Sequence, residues 1–132
     1  MVPILDSGGD VDTADDAHTS GHSHARVVTP PAPVHPAGTL ADAGELLRAL
    51  AAPVRIAIVL QLRAGDRCVH ELVETLGVAQ PLISQHLRVL KSARVVRGER
   101  RGREVVYRLA DDHLAHIVLD AVTHVGEEDR RR

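Results

Sequence analysis

Two carboxylates and two histidines near the end of the chain, Asp111, His113, His124 and Glu127, have the types and the spacing to hold a divalent metal. His124 and Glu127 are three residues apart and share one face of a helix. Asp111 and His113 are two apart, which splits faces inside a helix but not where Asp111 caps it, because the backbone there is not yet helical. His113 and His124 are eleven residues apart. Eleven steps of ~100° return to within about 20° of the same direction, while the helix rises ~16 Å. The two imidazoles therefore point the same way and cannot share an ion. The helix carries two half-sites, one at each end of one face. Antiparallel pairing with the same helix of a second copy sets each half opposite its complement and creates two identical sites. Two imidazoles and two carboxylates suit tetrahedral zinc, or cobalt. His116, three residues after His113, either extends the set for an octahedral ion such as nickel or stands beside it as a surface residue. One charged residue at a helix end is ordinary; four at the required spacing point to a metal.

Cys68 and Glu71 sit at i,i+3 on an earlier helix and form a second candidate metal position, the alternative being that Cys68 is a small buried residue. His18, His22, His24 and His35 lie in the N-terminal stretch, as part of either a solvated linker or a metal-binding arm.

A different chemistry is concentrated in the middle of the chain. The net charge is −2, but residues 80–108 hold eight basic residues against two acidic ones. A local basic surface of this kind binds phosphate backbones. Its polar positions fall into two groups. Gln80, Ser84, Gln85, His86, Arg88 and Lys91 lie on a helix whose remaining positions, Leu82, Ile83, Leu87 and Leu90, are left for the core. Gln85 can read adenine and Arg88 guanine in bidentate fashion, and His86 can contact phosphate or base. Arg100, Arg101 and Arg103 lie on a glycine-containing hairpin that can reach the flanking backbone or minor groove.

The elements that must position these residues follow from periodicity. Residues 1–38, rich in Gly, Ser, Thr, Pro, Asp and His, read as a disordered tail. Helical spacing predicts a first helix over about 40–51 and a second opened by Pro53 and closed before Gly65. A third is expected over about 68–76, stopped by Gly77, and a fourth from Pro81 to about Ala93, with Ala79 where a capping Ser or Thr would be expected. The period then changes to alternation: Val95-Val96 and Val105–Leu109 flank Arg101-Gly102-Arg103 as a hairpin. Asp111 caps a last helix to about Glu127, leaving 129–132 as a disordered Arg-rich end. The expected fold is mainly α with a small β-hairpin, a winged helix-turn-helix domain over 39–128, working as a homodimer.

Composition narrows the function further. The chain has 132 residues, 44% hydrophobic, and Tyr107 is its one aromatic residue. That suits a single aliphatic core of packed helices and argues against binding single strands by base stacking. One cysteine excludes an intrachain disulfide, and the chain shows no signal-peptide pattern or membrane-length apolar run, so a cytoplasmic protein is expected. An enzyme is not expected, because the four ligands fill a tetrahedral ion and leave no open position.

Three stretches, Glu45–Arg55, Arg67–Leu72 and Gln80–Leu87, together with Gly102–Leu109, make residues 40–127 resemble the ArsR/SmtB family of metal-responsive repressors. The resemblance implies a homodimer held by its first and last helices and bound to an imperfect inverted repeat of double-stranded DNA. It implies that Asp111, His113, His124 and Glu127 match the last-helix site of the family's zinc and cobalt sensors, and that metal releases the operator. Cys68 and Glu71 match where some members bind metal with help from the N-terminal arm. The family's Cys-x-Cys form for soft metals is absent, since His70 stands in the second place. Two other readings stay open: a zinc-binding interaction or storage protein without DNA, and a winged-helix regulator with a purely structural metal.

Overall fold

A computed structural model describes residues 26–132. The element order is α1 (Ala37–Leu50), α2 (Pro53–Ala64), β1 (Arg67–Cys68), α3 (Val69–Leu76), α4 (Gln80–Ser92), β2 (Val96–Arg101), β3 (Glu104–Leu109) and α5 (Asp112–Arg131). The chain divides into two units, Met1–Ala43 and Gly44–Arg132. In the described part of the first, residues 26–35 have no regular structure and α1 begins at Ala37, three residues before the expected start. The expected tail thus lies partly outside the described residues, as do His18, His22 and His24.

The second unit is a winged helix-turn-helix. Its core is aliphatic, as the composition requires: Ile58, Val59 and Leu62 of α2, Leu72 of α3, Ile83, Leu87 and Leu90 of α4, Val95 and Val96 before the wing, and Leu114 and Val118 of α5. Tyr107 packs against this cluster from β3. Leu82, expected in the core, is 49% exposed; Ile83 and Leu87 already fill the helical stripe that faces inward.

Local chemistry explains the boundaries. α3 stops where Gly77 turns left-handed (φ 67°) and donates its N–H to the Val73 carbonyl at 2.9 Å. α4 ends in a Schellman motif: Arg94 N–H donates to Lys91 O at 3.0 Å and Val95 N–H to Leu90 O at 2.9 Å. Leu90 and Val95, the apolar pair that accompanies this motif, are both fully buried. The left-handed position is held by Arg94 (φ 64°) rather than by glycine.

The sheet has the order β1-β3-β2, all antiparallel. The hairpin register pairs Val96 with Leu109 and Arg101 with Glu104, leaving Gly102-Arg103 as a two-residue turn. Gly102 has φ 66°, as the first central position of a type II′ turn requires. The strand β1 was not expected from the sequence. Two residues are too few to show alternation, and only their partners, Tyr107 and Val106, define them. α5 is longer than expected: it continues to Arg131, so the expected disordered end 129–132 is helical as far as that residue. Arg130 and Arg131 in the last turn complement the negative end of the helix dipole.

Arg94→Gly should stabilise the protein by about 0.5–1 kcal/mol, since a side chain in the left-handed region costs about 1–2 kcal/mol and glycine gives back part of that in chain entropy. Urea unfolding monitored by circular dichroism checks this; a loss of stability would show that the Arg94 side chain contributes more than its backbone strain costs.

Candidate nucleic-acid interface and metal ligands

The helix-turn-helix is α3, the turn at 77–79, and α4. Ala79 caps α4 without a side-chain hydrogen bond, and its carbonyl accepts from Leu82 N at 3.0 Å and Ile83 N at 3.1 Å. Pro81 in the first turn has no N–H to leave unsatisfied. With Ile83, Leu87 and Leu90 buried, the remaining positions of α4 leave Gln80, Gln85, Arg88 and Lys91 in solvent and Ser84 and His86 half-buried. This is the arrangement that lets a helix present polar side chains to a major groove.

The wing holds Arg100 and Arg101 on β2 and Arg103 in the turn in solvent, with Arg97 on β2 and Arg108 on β3 also exposed. Arg101 is tethered, with Nη2 at 2.9 Å from Glu99 Oε1 and 3.8 Å from Asp66 Oδ2. Among the described residues Arg100 and Arg103 form no ion pair, so they offer the freer charges.

Sequence reasoning missed Arg55 on α2, whose Nη1 lies 3.3 Å from Nδ1 of His86 on α4. No periodic pattern marks a contact between residues 31 apart.

At the start of α5, Asp111 is the N-cap: its Oδ1 accepts from His113 N at 2.9 Å and Leu114 N at 3.4 Å. His113 Nδ1 lies 3.4 Å from the same oxygen. The cap thus brings the first expected half-site together and leaves Asp111 Oδ2 for another ligand. His124 and Glu127 are exposed on the C-terminal half of α5. His116 is exposed one turn beyond His113. Ile117, Val122 and Val125 on the same helix are 38%, 42% and 59% exposed, apolar surface that nothing in this chain covers among the described residues.

Cys68 and Glu71 are joined as expected, but as a helix cap. Glu71 Oε1 accepts from Cys68 N at 2.9 Å and from Cys68 Sγ at 3.2 Å. Burial, then the Glu71 hydrogen bond, pushes the Cys68 thiol up from its ordinary range, while the backbone N–H of Cys68 draws the exposed Glu71 carboxyl down. Two residues not foreseen complete this corner. His70 Nδ1 is 3.2 Å from Cys68 Sγ and 3.4 Å from Glu104 Oε1 of β3. Cys68, His70 and Glu104 place one ligand atom each within 4.8 Å of one another. The β1–β3 pairing makes this approach, and neither strand spacing nor helix spacing could have announced it.

Comparison with known proteins agrees with this geometry. The profile of the bacterial regulatory protein, arsR family, matches residues 52–97, from the start of α2 to the start of β2. The HTH-type transcriptional repressor SmtB of Mycobacterium tuberculosis is 68% identical over 113 residues, covering 82% of this chain and 83% of that protein. The HTH-type transcriptional regulator NmtR of the same species is 40% identical over 95 residues, covering 68% and 79%. Among solved structures, the transcriptional repressor BigR from Xylella fastidiosa superposes with a TM-score of 0.60 at 32% identity, covering 65% of this chain and 88% of that one. No described helix is long and apolar enough to cross a membrane. With its winged helix-turn-helix and a relative matched along most of both chains, this protein belongs to the ArsR family of bacterial regulatory proteins.

Proposed function

We propose that this protein is a dimeric transcriptional repressor that zinc releases from its operator. In this reading α4 enters the major groove of an inverted repeat, with Gln80, Ser84, Gln85, His86, Arg88 and Lys91 as groove-facing groups and Arg100, Arg101 and Arg103 on the wing contacting the backbone. Two copies pair through the face of α5 that carries His113, Ile117 and His124, which covers Ile117. Each of two sites then takes Asp111 and His113 from one subunit and His124 and Glu127 from the other. The observation that carries the reading is the division of ligands along α5: a preformed Asp111–His113 pair at one end, exposed His124 and Glu127 at the other, and uncovered apolar residues on the same helix.

The donor set fits the ion. Two imidazoles and two carboxylates complete tetrahedral zinc, and cobalt accepts the same geometry. Metal supplies a rigid cross-link between two helices that also set the spacing of the two α4 helices, ~34 Å apart on one DNA turn. A coupling of about 1–3 kcal/mol, a 5- to 150-fold change in affinity, is enough for such a switch. Cys68 with His70 and Glu104 is a second donor set. The α5 set is preferred as the sensor because its ligands are exposed, whereas the Cys68 thiol is buried and must surrender a proton that burial makes it retain.

Fluorescence anisotropy on DNA spanning the region upstream of the protein's own gene tests the switch. Zinc should weaken wild-type binding 5- to 150-fold, while His113→Ala and His124→Ala bind as apo-proteins and ignore zinc. Equal zinc responses in wild type and variants would place the sensor elsewhere, and no response in any would make the metal structural.

The two roles of Asp111 should separate. Asn caps a helix as well as Asp does, so Asp111→Asn should keep thermal stability and lose zinc affinity, whereas Asp111→Ala should lose both, with about 1 kcal/mol from the cap. Full zinc affinity in Asp111→Asn would remove this carboxylate from the ligand set.

A further inference from the structure

We propose that Arg55 is a positioning residue for DNA binding: it holds His86 of α4 with the ring proton on Nε2, so that His86 donates a hydrogen bond to a phosphate oxygen of the DNA backbone. The inference rests on the DNA-binding reading above and adds to it a residue outside the helix-turn-helix and the wing.

The starting point is a missing donor. The carbonyl of Ala49, near the end of α1, would ordinarily accept from the N–H four residues on, but that residue is Pro53, which has none. Ala49 is buried, so water is a poor substitute. Arg55, in the first turn of α2, fills the gap: its Nε donates to Ala49 O at 2.6 Å. This bond fixes the guanidinium plane, and the rigid fork then sends Nη1 to His86 Nδ1 at 3.3 Å. One side chain thereby joins the end of α1, the start of α2 and the recognition helix.

The chemistry of the second contact is one-sided. A guanidinium has donors and no acceptor, so the contact is a hydrogen bond only if Nδ1 of His86 offers its lone pair. The proton of the neutral ring must then be on Nε2, the far side from Arg55. His86 is half-exposed on α4, on the flank of the helix that meets Arg55 of α2. A donor there suits phosphate: Arg55, which touches His86, lines with Arg48 and Arg88 an adjacent concavity of about 570 Å³, and three guanidinium groups against one carboxylate, Glu45, paired to Arg48, favour an anion nearby. Phosphate contacts set register rather than sequence, so the arrangement fixes how α4 lies on the duplex.

Two measurements on the full chain test this. Long-range 1H–15N spectra of the histidine rings at pH 8, where an ordinary imidazole is neutral, should show His86 protonated on Nε2 alone in the absence of DNA; a proton on Nδ1 overturns the proposal. Operator affinity should then fall roughly tenfold for Arg55→Lys, which keeps the charge but loses the fork, and roughly tenfold for His86→Ala. His86→Gln, whose amide can donate from near the Nε2 position, should stay within about threefold of wild type. The double variant Arg55→Lys/His86→Ala should bind no worse than His86→Ala alone, because Arg55 acts only through His86. Losses that multiply to roughly a hundredfold would show that Arg55 acts on DNA directly or through general stability, and would overturn the assignment. If wild type binds no operator while the ring spectrum shows Nε2–H, the DNA reading fails and the role of His86 in it falls, leaving Arg55 as a helix clamp.

Discussion

An α-helix rises ~1.5 Å per residue, and that rise governs what α5 can do. His113 and His124 face one way but lie ~16 Å apart, so no ion can join them within one chain. The same helix leaves Ile117, Val122 and Val125 exposed while burying Leu114, Ala115 and Val118 against the domain. Val125 continues the Leu114–Val118 stripe further along the helix, where it is exposed, and Ile117 lies beside the face of His113 and His124, so apolar surface of α5 stays uncovered in a single chain among the described residues. In the proposed dimer, pairing along the face of His113 and His124 completes the ligand sets and covers Ile117 on the same face. Under the proposed reading, metal and dimer contacts are one structural feature, which is why a small ion could alter the spacing of two distant recognition helices.

That influence requires the rest of the domain to behave as a solid body. Leu114 and Val118 of α5 share one core with Ile58 and Val59 of α2 and Ile83, Leu87 and Leu90 of α4. Close-packed interiors transmit displacement instead of absorbing it. Arg55 adds a polar tie between α2 and α4, and the Leu90–Val95 contact locks the end of α4 to the start of the wing. Recognition helix and wing are therefore fixed to each other, and α5 is fixed to both through the core.

Legibility followed the range of the interaction. Helix positions, the Asp111 cap, the Gly77 stop and the turn at Gly102 are local and were read from spacing and residue type. The outward turn of Leu82 was missed because periodicity alone does not say how wide the buried stripe is. β1 was missed because a two-residue strand exists only through its partner. The same long-range pairing brings Glu104 to His70 and Cys68, and the packing of α2 on α4 brings Arg55 to His86; both contacts are products of the fold rather than of any sequence motif. The ligand set proposed on α5 rests on the opposite property, since a helix converts sequence spacing directly into distance.

The most direct test of the bridged site is complementation between two defective subunits. His113→Ala and His124→Ala homodimers each have one ligand missing from both sites. A mixed dimer, formed by refolding the two variants together, concentrates both defects in one site and leaves the other with Asp111 and His113 from one subunit and His124 and Glu127 from its partner. Cobalt titration should then give little tetrahedral visible absorption for either variant alone and about one strongly coloured site per mixed dimer. If the mixture shows no more colour than the separate variants, the ligands are not shared across α5 and the proposed switch is wrong.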